Sequence, residues 1–158
     1  MKIERSFLLA SLILFIASLF LPTIITNESS SHPFYISYPM SMGLPYLVIG
    51  WMGIFTGMFA WYANIVGLIA FIFTSTKKHD AGIFFASIAI LLGLQSLLLT
   101  EIPNIVNSDT INYFSIGFYV WILSFVAIFI SCLISLLKLK NTNQNIQSWY
   151  SEKLRQKM

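Results

Sequence analysis

Charged positions cut the chain into four long uncharged stretches. Between Arg5 and Glu28 lie 22 uncharged residues, between Glu28 and Lys77 lie 48, between Asp80 and Glu101 lie 20, and between Asp109 and Lys138 lie 28. A helix rises 1.5 Å per residue, so about 20 apolar residues cross a hydrocarbon core of roughly 30 Å. Each stretch therefore predicts at least one span. The 48-residue stretch has room for two, but its first part carries Pro33, Pro39 and Pro45 among five serines. Proline at that density breaks helices and removes backbone donors that lipid cannot replace. The pattern thus predicts an extracytoplasmic loop followed by one helix, and four spans in all, over about 6–26, 46–74, 81–100 and 112–137.

Composition sharpens this picture. Hydrophobic residues make up 57% of the chain and charged residues 9%, with a mean hydropathy of +0.78. Soluble domains carry about 25% charged residues, so a soluble nucleic-acid binder, a disordered linker and a secreted disulfide scaffold are excluded. The expected class is an all-α membrane protein: an antiparallel four-helix bundle over 1–140, with a cytoplasmic tail over 141–158.

Charge also orients it. All nine basic residues, Lys2, Arg5, Lys77, Lys78, Lys138, Lys140, Lys153, Arg155 and Lys157, fall on one side of the four predicted spans. The other side carries Glu28, Glu101 and Asp109. The positive-inside rule then puts both termini in the cytoplasm. The first span has a basic start, but Pro22 follows it where a signal peptide would present small residues, so it reads as an uncleaved anchor.

Lipid tails are as apolar as leucine, so membrane helices associate through close backbone approach and interhelical hydrogen bonds. Small residues at alternating spacings of three and four mark where that happens. The second span shows Gly50, Gly53, Gly57, Ala60, Asn64 and Gly67; the third shows Gly82, Ala86, Ala89, Gly93, Ser96 and Thr100. Such heptad seams predict left-handed packing near +20°, and a six-residue connection makes the two helices neighbours, seam expected to face seam. The first span offers Ala10/Ala17 and Ser11/Ser18, and the fourth Gly117, Ser124, Ser131 and Ser135. The Gly53/Gly57 pair also fits homodimerisation.

Candidate chemistry is sparse. No Asp, Glu, Lys, Arg or His lies within any predicted span, whereas proton-coupled transporters place ionisable groups there. Asn64 is the main intramembrane polar residue, read either as a ligand contact or, preferably, as an interhelical hydrogen bond fixing register. Trp61 and Tyr62 sit beside it, and a deep indole N–H needs an acceptor. With Gln95 these residues form the expected polar cluster. Tyr35, Tyr38, Tyr46, Trp51, Tyr113, Tyr119 and Trp121 fit an outer aromatic belt. Cys132 is the sole cysteine, which excludes an intrachain disulfide and a Cys-x-x-Cys redox pair. His32 and His79 lie on opposite sides, so they cannot share a metal. No G-x-S-x-G and no phosphate loop occurs. Neither a catalytic set nor a cofactor is expected, and Lys77/Lys78 suit anionic lipid headgroups.

Two polar pieces remain. The loop from Pro22 to Leu44 could cap the bundle or meet a partner. The tail ends in Ile146, Trp149, Tyr150 and Leu154 among basic residues, which fits a short amphipathic helix on the inner leaflet, with docking under the bundle or onto a cytoplasmic partner as the alternative.

The segment Gly50-Trp51-Met52-Gly53, continuing as Gly57-Met58-Phe59-Ala60-Trp61-Tyr62-Ala63-Asn64, resembles one in uncharacterised small four-helix bacterial inner-membrane proteins. That resemblance implies the bacterial cytoplasmic membrane and brings no activity with it. The layout also resembles claudin-like proteins, without their paired loop cysteines. The expected function is therefore non-enzymatic: an accessory subunit or immunity-type protein packing against another membrane protein, with the lipid bilayer as its other partner and no nucleic acid. The alternative is a homo-oligomeric pore or carrier for a neutral or lipidic solute, built around Trp61 and Asn64.

Overall fold

In the computed structural model the apolar stretches are helical; the structure describes residues 2–26, 43–51, 59–98, 101–103 and 108–156. Helix α1 spans Lys2–Phe20 and stops ahead of Pro22, which leads into strand β1, Ile24–Thr26. Helix α2, Gly43–Ile49, is short. A 3-10 turn over Phe59–Tyr62 opens α3, Ala63–Ser75. Helix α4 covers His79–Leu94, with a further 3-10 turn over Gln95–Leu98. Strands β2, Glu101–Pro103, and β3, Ser108–Phe114, precede α5, Ile116–Arg155.

Three of these helical stretches, Ile3–Phe20, His79–Leu98 and Ile116–Arg155, are long and apolar enough to cross a membrane; Phe59–Ser75 is apolar but shorter.

The second predicted span is the main correction. Tyr46–Thr74 as one helix would separate residues 47 and 61 by about 21 Å, yet the Trp61 indole N–H donates to the Leu47 carbonyl at 2.8 Å. The chain therefore returns on itself between α2 and the 3-10 turn. Gly50, instead of continuing a helical seam, lies against the Trp61 indole. Gly53 and Gly57 fall outside the described residues.

Helix α5 runs through the centre of the packing. Against α3 and α4 it presents Phe125, Ile128 and Cys132, which form the buried core with Ala63, Ala70, Ala86 and Ala89. The buried small residues of α3 and the turn before it are Ala60, Ala63, Gly67, Ala70 and Thr74, a seam one position away from Asn64; those of α4 and the turn after it are Gly82, Ala86, Ala89, Gly93 and Ser96. Seam does not simply face seam. A methyl added at Gly67 would strike the Phe125 ring, and one at Gly93 would lie 3.4 Å from Trp121 and press on Ile122, all three on α5. Only at Gly82 do both neighbours close in, with Cys132 Sγ at 2.7 Å and Thr74 Oγ1 at 2.8 Å from the added carbon. The glycines thus admit bulky α5 side chains that helix-to-helix contact would otherwise exclude.

Helix α1 packs on α5 through hydroxyls. Ser11, Ser18, Ser124, Ser131 and Ser135 are all buried. Ser11 and Ser18 donate back to Leu8 and Phe15 carbonyls at 2.7 Å, so they bring small size without an unsatisfied polar group. Ser131 instead donates across to the Glu4 carbonyl at 2.9 Å. At the other end of the pair, the Gly117 N–H donates to the Pro22 carbonyl at 2.8 Å, and any Cβ at 117 would sit 2.6 Å from that oxygen.

Beyond these ends the chain forms a sheet that hydropathy had concealed, ordered β1-β3-β2 and antiparallel throughout. Ile24 pairs with Phe114 and Ile102 with Asp109, with an irregularity between Ile25 and Thr26. The alternation in Thr110-Ile111-Asn112-Tyr113-Phe114 suits a strand, so α5 starts at Ile116 and not near 112. Its other end differs too. The tail is no separate short helix: α5 continues unbroken to Arg155, 40 residues and about 60 Å.

Candidate functional site

The densest polar arrangement in the apolar zone joins α2, α3 and α5. Trp121, on α5, donates its indole N–H to Asn64 Oδ1 at 2.8 Å. Asn64 Nδ2 donates to the Trp61 carbonyl at 2.9 Å, and Trp61 Nε1 reaches the Leu47 carbonyl. The Tyr62 hydroxyl donates to the Trp51 carbonyl at 3.3 Å, while the Phe59 N–H donates to Gln95 Oε1 at 3.2 Å. The four residues singled out in the sequence are thus brought to one level, but they do not converge on one point. Asn64 and Trp61 form a chain of bonds, whereas Tyr62 and Gln95 each anchor a separate backbone atom.

Local sequence explains the geometry. The 3-10 turn at Phe59–Tyr62 precedes α3, leaving the Trp61 carbonyl to accept the Asn64 amide three residues on. The Trp61 ring meets Tyr62 edge-on at 5.3 Å, and Trp121 meets Phe125 edge-on at 5.3 Å. These contacts hold both indoles in place beside their acceptors.

Sequence reasoning missed Trp121, which it assigned to the outer belt. Its position seven residues before Ile128 on the buried face of α5 is the signal that could have placed it inward. It also missed the Leu47 carbonyl, which carries no side-chain signature at all.

A second cluster sits at the other end of α1 and α5. Glu4 Oε1 lies 2.7 Å from Lys138 Nζ. Both lie just beyond the uncharged stretches. The hydrogen bond from Lys138 holds the Glu4 carboxyl below its ordinary pKa, and the same bond raises the Lys138 ammonium. Between the two clusters, the Thr74 hydroxyl donates to the Ala70 carbonyl at 2.7 Å and lies 2.9 Å from Cys132 Sγ, so the lone thiol is enclosed in the α3–α5 contact.

The chain of bonds from Trp121 through Asn64 and Trp61 to Leu47 fastens three helical elements through amides, indoles and carbonyls. Among the described residues, no group of three His, Cys, Asp or Glu gathers that could hold a metal. No protein-family model, no curated protein and no solved structure matches the chain.

Proposed function

We propose that this is a four-span protein of the bacterial cytoplasmic membrane, with both termini cytoplasmic, that acts by packing against another membrane protein as an accessory or immunity-type subunit. Phe59–Ser75 supplies the remaining crossing. In support, it runs beside α5 from Asn64 next to Trp121 to Thr74 next to Cys132. It then turns at Lys77 and Lys78 into α4, whose Gly82 also meets Cys132. Glu4 beside Lys138 puts the start of α1 at that same basic end.

The observation that carries the functional reading is the closure of the Trp121–Asn64–Trp61–Leu47 chain. Each of its intramembrane polar side chains is bonded to another element or to the adjacent backbone. A solute pathway would instead need polar groups turned toward a cavity. Outward, the helices present large apolar side chains: Leu9, Ile13 and Ile16 on α1, Phe84 and Leu91 on α4. Such faces suit lipid and the flank of a second membrane protein alike.

The test is purification from native membranes in mild detergent, with the mass and composition of the particle determined. A stoichiometric second protein is expected. A homo-oligomer containing this chain alone would overturn the reading.

A further inference from the structure

The inward face of α4 does not end at Gly82. His79, three residues earlier, continues the spacing of Gly82, Ala86, Ala89 and Gly93 on the same side of the helix. Gly82 abuts Cys132 of α5, and Ser131 beside that cysteine donates to the Glu4 carbonyl of α1, so α1, α4 and α5 converge at this level. His79 stands about 4.5 Å further along α4, toward the end where Glu4 pairs with Lys138. Its ring nitrogen Nδ1 is shut off from solvent and meets no hydrogen-bond partner among the described residues. A bare ring nitrogen tolerates such a position, whereas a buried N–H does not. The resting imidazole therefore carries its proton on Nε2. We propose that Glu4, His79 and Lys138 form a proton-operated clasp: with His79 neutral, Lys138 holds Glu4 and ties α1 to α5, and proton uptake at His79 Nδ1 draws the Glu4 carboxylate over and ties α1 to α4.

The surrounding charges select Glu4 as the acceptor. A proton on Nδ1 makes a cation at a point that water does not reach, and such a cation needs a carboxylate. Helix α3 carries no charged residue, and Thr74 and Cys132 are bonded to each other. Asp80 follows His79 directly, so it projects about 100° around the helix, and it is exposed. Glu152 lies about 21 Å beyond Lys138 along α5. Of the cations, Lys78 is held over the Phe73 ring at 5.9 Å, and Lys77 and Arg5 are exposed. The Glu4 carboxyl is held below its ordinary pKa first by the bond from Lys138; a charge on His79 acts in the same direction more weakly, so the two groups already sense one another. Lys138 releases Glu4 readily, because it is 48% exposed and water can take over its ammonium. The step adds one proton from water, breaks no covalent bond and exchanges one charge-assisted hydrogen bond for another. Histidine changes charge between about pH 5 and 8, and on the topology proposed above the compartment it reads is the cytoplasm. The clasp itself does not depend on that placement, and it is tested on isolated protein.

The full-length protein is placed in nanodiscs without a histidine tag and with His32→Gln, so that 15N-labelled histidine reports on His79 alone. At about pH 8 the spectrum should show a bare Nδ1, which gains its proton as the pH falls toward about 5. Glu4→Gln should weaken that uptake about tenfold, the scale on which an adjacent carboxylate acts. Double-mutant unfolding cycles then follow the exchange of partners. The Glu4–Lys138 coupling should dominate at about pH 8 and the Glu4–His79 coupling at about pH 5.5, each about threefold in the unfolding equilibrium. A proton already on Nδ1 at the higher pH, no uptake down to the lower one, or a Glu4→Gln effect below about twofold overturns the proposal. A Glu4–His79 coupling no larger in acid than in base overturns it as well. The spectra of the parent and of Glu4→Gln give the answer even where His79→Gln fails to fold.

Discussion

The bond between Trp121 and Asn64 is the interaction on which the account is most exposed to test. Replacing Asn64 with Leu keeps side-chain volume and removes the acceptor, leaving the Trp121 N–H facing apolar neighbours. Replacing Trp121 with Phe removes the donor and keeps an aromatic ring beside Phe125. An orphaned buried polar group costs about 1–3 kcal/mol in general, but within membranes the unfolded reference also finds partners. The interhelical bond itself is then worth about 0.6 kcal/mol on average and at most about 1.7. The single variants also lose other contacts. Asn64→Leu forfeits the bond to the Trp61 carbonyl, and Trp121→Phe forfeits the wider ring that meets Phe118 at 6.0 Å and Phe125 at 5.3 Å. Those losses cancel in a double-mutant cycle. The singles should each destabilise by about 1–2 kcal/mol, and the cycle should return a coupling of about 0.6–1.7 kcal/mol. Unfolding in mixed micelles, followed by circular dichroism so that losing a tryptophan does not alter the signal, measures both. A coupling inside the ~0.3 kcal/mol within which independent sites add would refute the staple.

Three further outcomes follow from the same packing. Gly67→Ala should lower stability by about 1–3 kcal/mol through overpacking on Phe125, exceeding the helix gain of about 1 kcal/mol, and Phe125→Leu should restore part of it in the same unfolding assay. Lys77 adopts φ 62°, closing α3 where the Lys78 N–H donates to the Phe73 carbonyl at 2.9 Å. Lys77→Gly should therefore raise the thermal midpoint by relieving a left-handed strain of about 1–2 kcal/mol. Glu4 has a lowered pKa in the folded protein, so its stabilising contribution is present above the ordinary carboxylate value and is lost as pH falls through the folded one. The gap in thermal midpoint between the parent and Glu4→Gln should be constant near neutrality and vanish in acid.

How much of this was legible depends on range. In α4 the residues spaced at four and three, Gly82, Ala86, Ala89 and Gly93, are the buried set itself, because a helix that must pack tightly in lipid repeats its small side chains along one face. The serines of α1 and α5 follow the same logic. Partners across the fold were not legible. Spacing shows that a seam exists without saying what enters it, so the insertion of Phe125 at Gly67 and Ile122 at Gly93 could not be read from either helix alone. The return of the chain from Leu47 to Trp61 depends on a backbone carbonyl, and uniform hydropathy over 46–74 conceals it. Strand pairing at Ile24–Phe114 was hidden similarly, since β1 is three residues long and carries no usable alternation. In the candidate site, Asn64, Trp61, Tyr62 and Gln95 stood out by polarity or aromaticity, but the closing member, Trp121, looked like one more interfacial aromatic.

The central claim is the course of the chain through the bilayer, and above all that Phe59–Ser75 crosses it. Single cysteines placed at Ser30, Ser75, Ser108 and Ser151 in a Cys132→Ser background, probed with an impermeant maleimide, test this directly. The account predicts that the cysteines at 30 and 108 react in intact cells, and that those at 75 and 151 react only after permeabilisation. A cysteine at 75 that reacts from outside while 151 remains protected would contradict it, because α3 would then not carry the chain back across the membrane.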